Sequence, residues 1–93
     1  MNKKDTAGKS RVIARDILYE KIERNELEIP EAIKLIRKIL NLSQVEFAKK
    51  IGVSKFSITN LERGVGNPTI KNIQRMLAPM KLDLKIGLKN KPR

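Results

Sequence analysis

The strongest constraint in this sequence is a run of helix start and stop signals in the middle of the chain. Ser43 with Glu46 three residues later has the spacing of a capping box, which starts a helix. Gly52 tolerates the left-handed backbone of a tight helix exit, Ser54 can cap the next helix, and Gly64 can end it. These signals predict two short helices joined by a tight turn that contains glycine.

The second predicted helix, over 55–63, has two different sides. At about 100° per residue, Ile58 and Leu61 point toward one side, which we expect to face the core. The opposite side carries Phe56, Thr59, Asn60 and Arg63, with Lys55 beside them on the first turn. An outward phenylalanine next to an asparagine suggests a contact surface, although single exposed apolar residues are common.

A helix, a short turn and a second helix form the outline of a helix-turn-helix, whose second helix enters the DNA major groove. Asparagine can pair with the N6 and N7 atoms of adenine, lysine can donate to guanine, and apolar groups can touch a thymine methyl. We therefore predict base contacts from the set Lys55, Phe56, Thr59 and Asn60. The alternative for Phe56 is that it covers the edge of the core or of a dimer.

A second set of residues has the position expected for phosphate contacts. Gln44 begins the first helix of the pair, where the free N–H groups of the helix can also face a phosphate, although it could be a simple helix-start residue. The predicted phosphate set is Gln44, Ser57, Arg63, Asn67, Thr69 and Lys71. Glu62 lies near the core side of its helix, and we expect it to be structural and paired with Arg37.

The flanking segments suggest four parts: residues 1–9, 10–29, 30–81 and 82–93. The first is polar and aperiodic, which predicts a flexible basic arm. The second carries a helix over 10–25, capped by Ser10, whose broad apolar stripe either packs on the core or docks a partner. The third holds the helix-turn-helix. It includes a helix from Pro30 to about residue 40 and one capped by Thr69 that ends or kinks before Pro79.

Near the C-terminus the spacing of the apolar residues changes from the helical period of about 3.6 to an alternation of every second residue. Between residues 82 and 88 the apolar positions alternate, which predicts a half-buried β-strand formed by Leu82, Leu84, Ile86 and Leu88. A strand needs a partner for its backbone groups, and we find only one in this sequence. The simplest prediction is that the strand pairs with the same strand of a second copy, so that these four residues form a dimer interface. Packing within one chain is the alternative.

Charge and composition narrow the function further. The formal net charge is +11, and residues 1–31 carry seven basic and seven acidic side chains, so the whole excess lies in residues 32–93. This favours a nucleic acid partner over a merely solvated surface. The chain has no cysteine and no histidine, which excludes disulfides, thiolate chemistry and imidazole catalysis. We expect no enzyme activity, no metal or other cofactor, no membrane segment, and a cytoplasmic location on the nucleoid.

The stretch "LSQVEFAKKIGVSKFSITNLERGVGNPTIKNIQRML" resembles the Xre/Cro-type repressors, with "SQVEFA", "GVS", "ITNLERG" and "NPT" in order. The resemblance implies an all-α, lambda-repressor-like domain of five helices that binds a palindromic operator as a homodimer. It places Lys55, Phe56 and Asn60 at base-reading positions and Gln44 at a phosphate. Phe56 departs from the polar residue often found there.

The added strand "MKLDLKIGL" resembles the HipB group of antitoxins, which implies a HipA-like kinase toxin as partner and autoregulation of a toxin-antitoxin operon. Two other functions stay open at this point. One is an Xre-type phage or plasmid regulator without a toxin. The other is a basic module that binds protein or RNA, although the low aromatic content of 3% argues against stacking on single strands.

Overall fold

The computed structural model describes the backbone of residues 3–85 and the side chains of residues 8–85. Within this part the chain forms only helices and connecting segments, and no helix there is both long and apolar enough to cross a membrane. In chain order the elements are α1 (Lys3–Glu23), α2 (Ile29–Leu40), α3 (Gln44–Ile51), α4 (Lys55–Glu62), α5 (Ile70–Leu77) and a 3₁₀ turn (Ala78–Met80). The predicted helical domain is therefore confirmed.

Helix α1 begins at Lys3, so the predicted start at Ser10 is wrong and residues 3–9 are not an aperiodic arm. The physical reason is that this stretch contains lysine and alanine, which favour helix, and no proline that would break it. Gly8 costs about 1 kcal/mol in a helix interior, which an adjoining helix can tolerate because extending a helix is easier than starting one. Ser10 lies inside the helix and does not cap it.

Helix α1 runs antiparallel to α2, and a contact near each end fixes this arrangement. Lys21 forms a 2.7 Å ion pair with Glu31 near the start of α2. Arg11 donates a 2.9 Å hydrogen bond from Nε to the carbonyl oxygen of Ile39 near the end of α2. Of the predicted apolar stripe on α1, the members that reach the core are Ala14 and Leu18, whereas Ile13, Ile17 and Ile22 stay exposed. The stripe is thus only partly buried.

The core lies between α2 and the helices that follow it, with Ala14 and Leu18 contributed by α1. Its largest fully buried side chains are Phe47, Leu18, Ile33, Ile36, Ile58 and Met76. Each of the three later helices begins at a hydroxyl cap, as predicted: Ser43, Ser54 and Thr69 each accept a hydrogen bond from the backbone N–H three residues ahead. These caps fix where the helices of the site start.

Helix α5 ends at Leu77, and Pro79 lies in the 3₁₀ turn that follows, which confirms the predicted stop. The chain then reverses at Lys81, whose φ of 56° is left-handed. Residues 82–85 have no regular secondary structure, but their burial alternates: Leu82 and Leu84 are half-buried and pack against the core of their own chain. The other two residues of the predicted strand, Ile86 and Leu88, lie outside the described residues.

Candidate nucleic-acid interface

Helices α3 and α4 meet at a turn that the sequence specifies residue by residue. The capping box at the start of α3 is complete, because Ser43 and Glu46 each bond the other's backbone N–H. At the end of α3, Gly52 has a φ of 76°, a left-handed value that glycine adopts without a steric penalty. Its N–H and that of Val53 both reach the carbonyl of Ala48, at 2.9 and 3.0 Å. The turn therefore closes through backbone hydrogen bonds.

Helix α4 presents the two sides that its sequence predicts. Ile58 is fully buried and Leu61 is 6% exposed, so these residues attach the helix to the core. Phe56 is 73% exposed, the highest value among the large apolar side chains described. Lys55 is exposed beside it on the first turn. The predicted outward surface is thus present at the start of the helix, where a recognition helix meets base edges.

Thr59 and Gln44 hold α3 and α4 together, a role that the sequence did not reveal. The Thr59 hydroxyl donates a 2.8 Å hydrogen bond to Oε1 of Gln44. The amide nitrogen of Gln44 donates to Oε1 of Glu62 at 3.3 Å. Both Thr59 and Gln44 are half-buried, so their polar atoms are largely used within the protein. Gln44 keeps its position as the first residue of α3, next to the free N–H groups of that helix.

The predicted pair of Arg37 and Glu62 is confirmed. Two hydrogen bonds join them, from Nε to Oε2 at 2.5 Å and from Nη2 to Oε1 at 2.8 Å. The Glu62 side chain is only 4% exposed and that of Arg37 is 21% exposed. The hydrogen bond to Glu62 raises the pKa of Arg37 above its already high usual value, so the guanidinium stays charged. Arg37 also donates to the carbonyl of Leu42 at 3.1 Å, which ties α2 to the start of α3.

Asn60 lies at the rim of a small hollow between α4 and the loop that follows it. The hollow has a volume of about 220 Å³, and Phe56, Val65, Gly66 and Asn67 also line it. The loop folds back because Val65 N–H bonds the carbonyl of Asn60 at 2.9 Å. Gly66 has a left-handed φ of 85°, and a Cβ there would lie 3.7 Å from that of Asn60. Asn67 is thereby brought beside the predicted base-reading residues.

The remaining predicted phosphate contacts have mixed surroundings. The Ser57 hydroxyl lies 2.9 Å from that of Ser54, within the cap of α4. The Thr69 hydroxyl accepts a 3.1 Å hydrogen bond from the backbone N–H of Asn72 and so caps α5. Arg63 and Lys71 are exposed. Both hydroxyls therefore take part in helix caps, which the sequence predicted for Thr69 and not for Ser57. The two cations remain on the surface.

The carboxylates near this surface are few. In α3, the pKa of Glu46 is lowered below its usual 4.5 because the backbone N–H and then the hydroxyl of Ser43 bond its carboxylate. Glu62 is buried against Arg37, so its charge is compensated. Across α2 to α5 every exposed charged side chain except Glu46 is a cation, which suits a polyanion.

A comparison with protein families identifies the pattern. A helix-turn-helix family model matches residues 33–86 of the 93, which is more than half of the chain. Antitoxin HipB of Escherichia coli (strain K12) is 32% identical over 57 residues. That match covers 61% of this chain and 65% of HipB, so it spans slightly less than two thirds of the relative. No solved structure matches the chain.

The matched region contains every element of the candidate interface, from the buried residues of α2 through the caps of α5. The resemblance that the sequence motifs suggest is therefore confirmed, and the chain belongs to the Xre-type helix-turn-helix family of DNA-binding regulators, not to a family of enzymes.

Proposed function

We propose that this protein is a repressor that reads a specific double-stranded operator with α4. The observation that carries the proposal is the exposed start of that helix: Phe56 is 73% exposed beside the exposed Lys55, while Ile58 behind them is fully buried. A rigidly held helix with an apolar and a cationic side chain at its free N-terminal end fits a major groove.

Each base-reading residue has a distinct role in this proposal. Asn60 pairs with adenine and Lys55 donates to guanine, since these are the contacts their geometry favours. Phe56 packs on a thymine methyl. The hydroxyl of Thr59 is engaged with Gln44, so Thr59 offers its methyl group to the groove. Specificity therefore comes from two polar and two apolar contacts.

The phosphate contacts frame this surface. Gln44 brings the N-terminus of α3 to one strand, where the free N–H groups and the helix dipole favour an anion. The loop and the start of α5 reach the backbone on the other side of α4. The proposed set is Gln44, Ser57, Arg63, Asn67, Thr69 and Lys71.

We further propose that the protein binds DNA as a homodimer through residues 82–88. Leu82 and Leu84 pack on their own core, which holds the start of this segment at a fixed place. The alternation of exposed and half-buried side chains over 81–85 is the pattern of a strand with one buried face. Two copies paired there present two recognition helices to half-sites about 34–36 Å apart.

The similarity to HipB supports a more specific assignment as an antitoxin. In this proposal the protein acts in the cytoplasm, represses its own toxin-antitoxin operon and binds a HipA-like kinase toxin. The test is capture of the tagged full chain from its own host, with mass spectrometry of the bound proteins. Recovery of a kinase supports the antitoxin role. Recovery of DNA alone would favour an Xre-type regulator without a toxin.

DNA reading is tested with operator duplexes selected from a random library. Asn60→Ala and Lys55→Ala should each weaken binding to the selected duplex by about 1–3 kcal/mol and change binding to random duplex little. Lys34→Ala is the matched control, since Lys34 is an exposed lysine on α2, outside the helix pair. Equal losses on both duplexes would refute base reading, and measurement by fluorescence anisotropy resolves the difference.

A further inference from the structure

The charges of helix α1 are divided along its length. Among residues 8–15 there are three cations and no acid, and all three side chains are exposed: Lys9, Arg11 and Arg15. Among residues 16–23 there are three exposed acids, Asp16, Glu20 and Glu23, with Lys21 as the one cation. The segment lies outside the region that the family model matches.

We propose that the basic half of α1 is a second binding site for the DNA phosphate backbone, separate from the helix-turn-helix. The inference rests on the proposed function, because it assigns α1 to the same DNA duplex. It adds contacts outside the two helices that read bases. The ligand is the phosphodiester chain and not the base edges, since lysine and arginine on a helix flank suit phosphates of any sequence.

The direction of α1 places its basic half at a defined end of the molecule. Lys21 pairs with Glu31, so the acidic half of α1 lies beside the start of α2. Arg11 bonds the carbonyl of Ile39, so the basic half lies beside the end of α2. Together the two contacts fix the direction in which α1 runs along α2.

The end of α2 leads directly into the proposed DNA-binding helix pair. Three residues after Leu40, Ser43 caps α3, and the first residue of that helix is Gln44. Gln44 in turn bonds Thr59 of α4. A short chain of contacts therefore connects the basic half of α1 to the recognition helix, whereas the acidic half is held at the far end.

The backbone of helix α1 continues past the residues of the proposed site. From Arg11 back to Lys3 the helix continues for eight residues, or about 12 Å. Beside the arginines lies an open hollow of about 330 Å³, lined by Gly8, Arg11, Val12, Arg15 and Ile39. This hollow gives a phosphate access to both guanidinium groups. The acidic half, turned away from DNA, would orient the approaching molecule electrostatically.

The test compares two double variants of the full chain. Lys9→Gln with Arg15→Gln removes two cations from the proposed site and keeps Arg11, which ties α1 to α2. Lys34→Gln with Lys81→Gln is the control: Lys34 is an exposed lysine on α2, and Lys81 lines the hollow beside Glu28 and Ile29 at the opposite end of α2. Circular dichroism and light scattering verify that both variants keep the helix content and mass of the wild type.

Binding to a random-sequence duplex is measured by fluorescence anisotropy between about 50 and 200 mM salt. For two lost phosphate contacts, the slope of log K against log salt should fall in magnitude by about 1.8, with affinity roughly 10- to 60-fold weaker near 100 mM salt. The control should keep the wild-type slope and lose about twofold or less.

Three results would overturn the proposal. An unchanged slope for the α1 variant would show that the basic half of α1 does not contact phosphates. An acidic protein would then be the better candidate partner for these cations. Equal losses in both variants would indicate a general effect of net charge. A wild-type chain that binds neither random nor selected duplex would refute the proposed function and, with it, this second site.

Discussion

The hydroxyl of Thr59 in the recognition helix bonds the side-chain oxygen of Gln44, the first residue of the preceding helix, at 2.8 Å. The hydroxyl of this residue fixes the helix pair, and in the proposed function its methyl group is the part offered to DNA. The Thr59 side chain therefore links the angle between α3 and α4 to the surface that α4 offers to DNA.

Substitution of Thr59 should separate these two roles. Thr59→Val keeps the shape but loses the hydrogen bond, which should lower the free energy of unfolding by about 1 kcal/mol. Thr59→Ser keeps the hydroxyl and loses the methyl, so it should retain more stability but discriminate less between selected and random duplex. Urea unfolding and anisotropy measure the two effects. A serine variant less stable than the valine variant would contradict the structural role of the hydroxyl.

Arg37→Met should destabilise the fold by about 3 kcal/mol, because it leaves the carboxylate of Glu62 buried without its partner. The double variant Arg37→Met, Glu62→Leu removes both charges and should lose less than the sum of the two single changes. Urea unfolding of all four proteins gives the coupling free energy. Additive losses would mean that the two side chains do not stabilise each other.

The capping box should make α3 sensitive to acid. The pKa of Glu46 is lower in the folded chain than its usual 4.5, so the unfolded state takes up this proton more readily. The stabilisation is complete above the unfolded pKa and is lost as the pH falls through the folded pKa. Glu46→Gln should therefore be less stable than wild type at pH 7, and the difference should shrink on acidification below about pH 4.

A second glutamate provides the control for this experiment. Glu28 occupies the N-cap of α2 but makes no side-chain cap hydrogen bond. Thermal melts between pH 7 and about pH 3 measure the effect of Glu46→Gln, and Glu28→Gln should track the wild type in them. A Glu46→Gln deficit that stays constant from neutral to acidic pH would show that the charge of Glu46 does not contribute.

Phe56→Ala should affect binding and not stability. Because Phe56 is 73% exposed, its removal should change the free energy of unfolding by about 0.5 kcal/mol or less. Burial against a base would be lost, which should weaken binding to the selected duplex by about 1–2 kcal/mol. The matched change is Phe47→Ala, at a fully buried phenylalanine, which should destabilise by about 3–5 kcal/mol. Unchanged affinity for Phe56→Ala would remove this residue from the interface.

A truncation after Lys85 tests the proposed dimer and leaves every described residue in place. Removal of residues 86–93 should yield a monomer in light scattering, with the helix content of the full chain in circular dichroism. Binding to a palindromic duplex should weaken strongly, and binding to a single half-site should change less. A truncated chain that remains a dimer would place the interface elsewhere.

The parts of the fold that the sequence predicted are those controlled by nearby residues. A cap requires a hydroxyl and a backbone N–H three positions apart, so Ser43, Ser54 and Thr69 could be read directly. The pair of Arg37 and Glu62 was also predictable, since the helical position of Glu62 left an acid facing the core. The DNA contacts themselves remain predictions.

The features that the sequence did not predict depend on how the helices pack against each other or on which of several possible residues starts a helix. Ser10 has the chemistry of a cap, yet α1 continues past it because nothing upstream breaks the helix. Ile13 belongs to the same apolar stripe as Leu18, but only Leu18 reaches the core, and Ile13 stays 59% exposed. The bond from Thr59 to Gln44 depends on the crossing of α3 and α4. The two glycines in "GVGNP" were a usable signal that the loop turns sharply beside Asn60.

The exposure of Lys55 and Phe56 has a practical consequence for redesign. Each is exposed at the start of α4, whereas Thr59 and Asn60 are half-buried among protein atoms. The first two positions can therefore be randomised together with little selection imposed by folding. A library at these positions should yield proteins with new operator preferences and an unaltered scaffold, and the choice of target would rest on two exchangeable side chains.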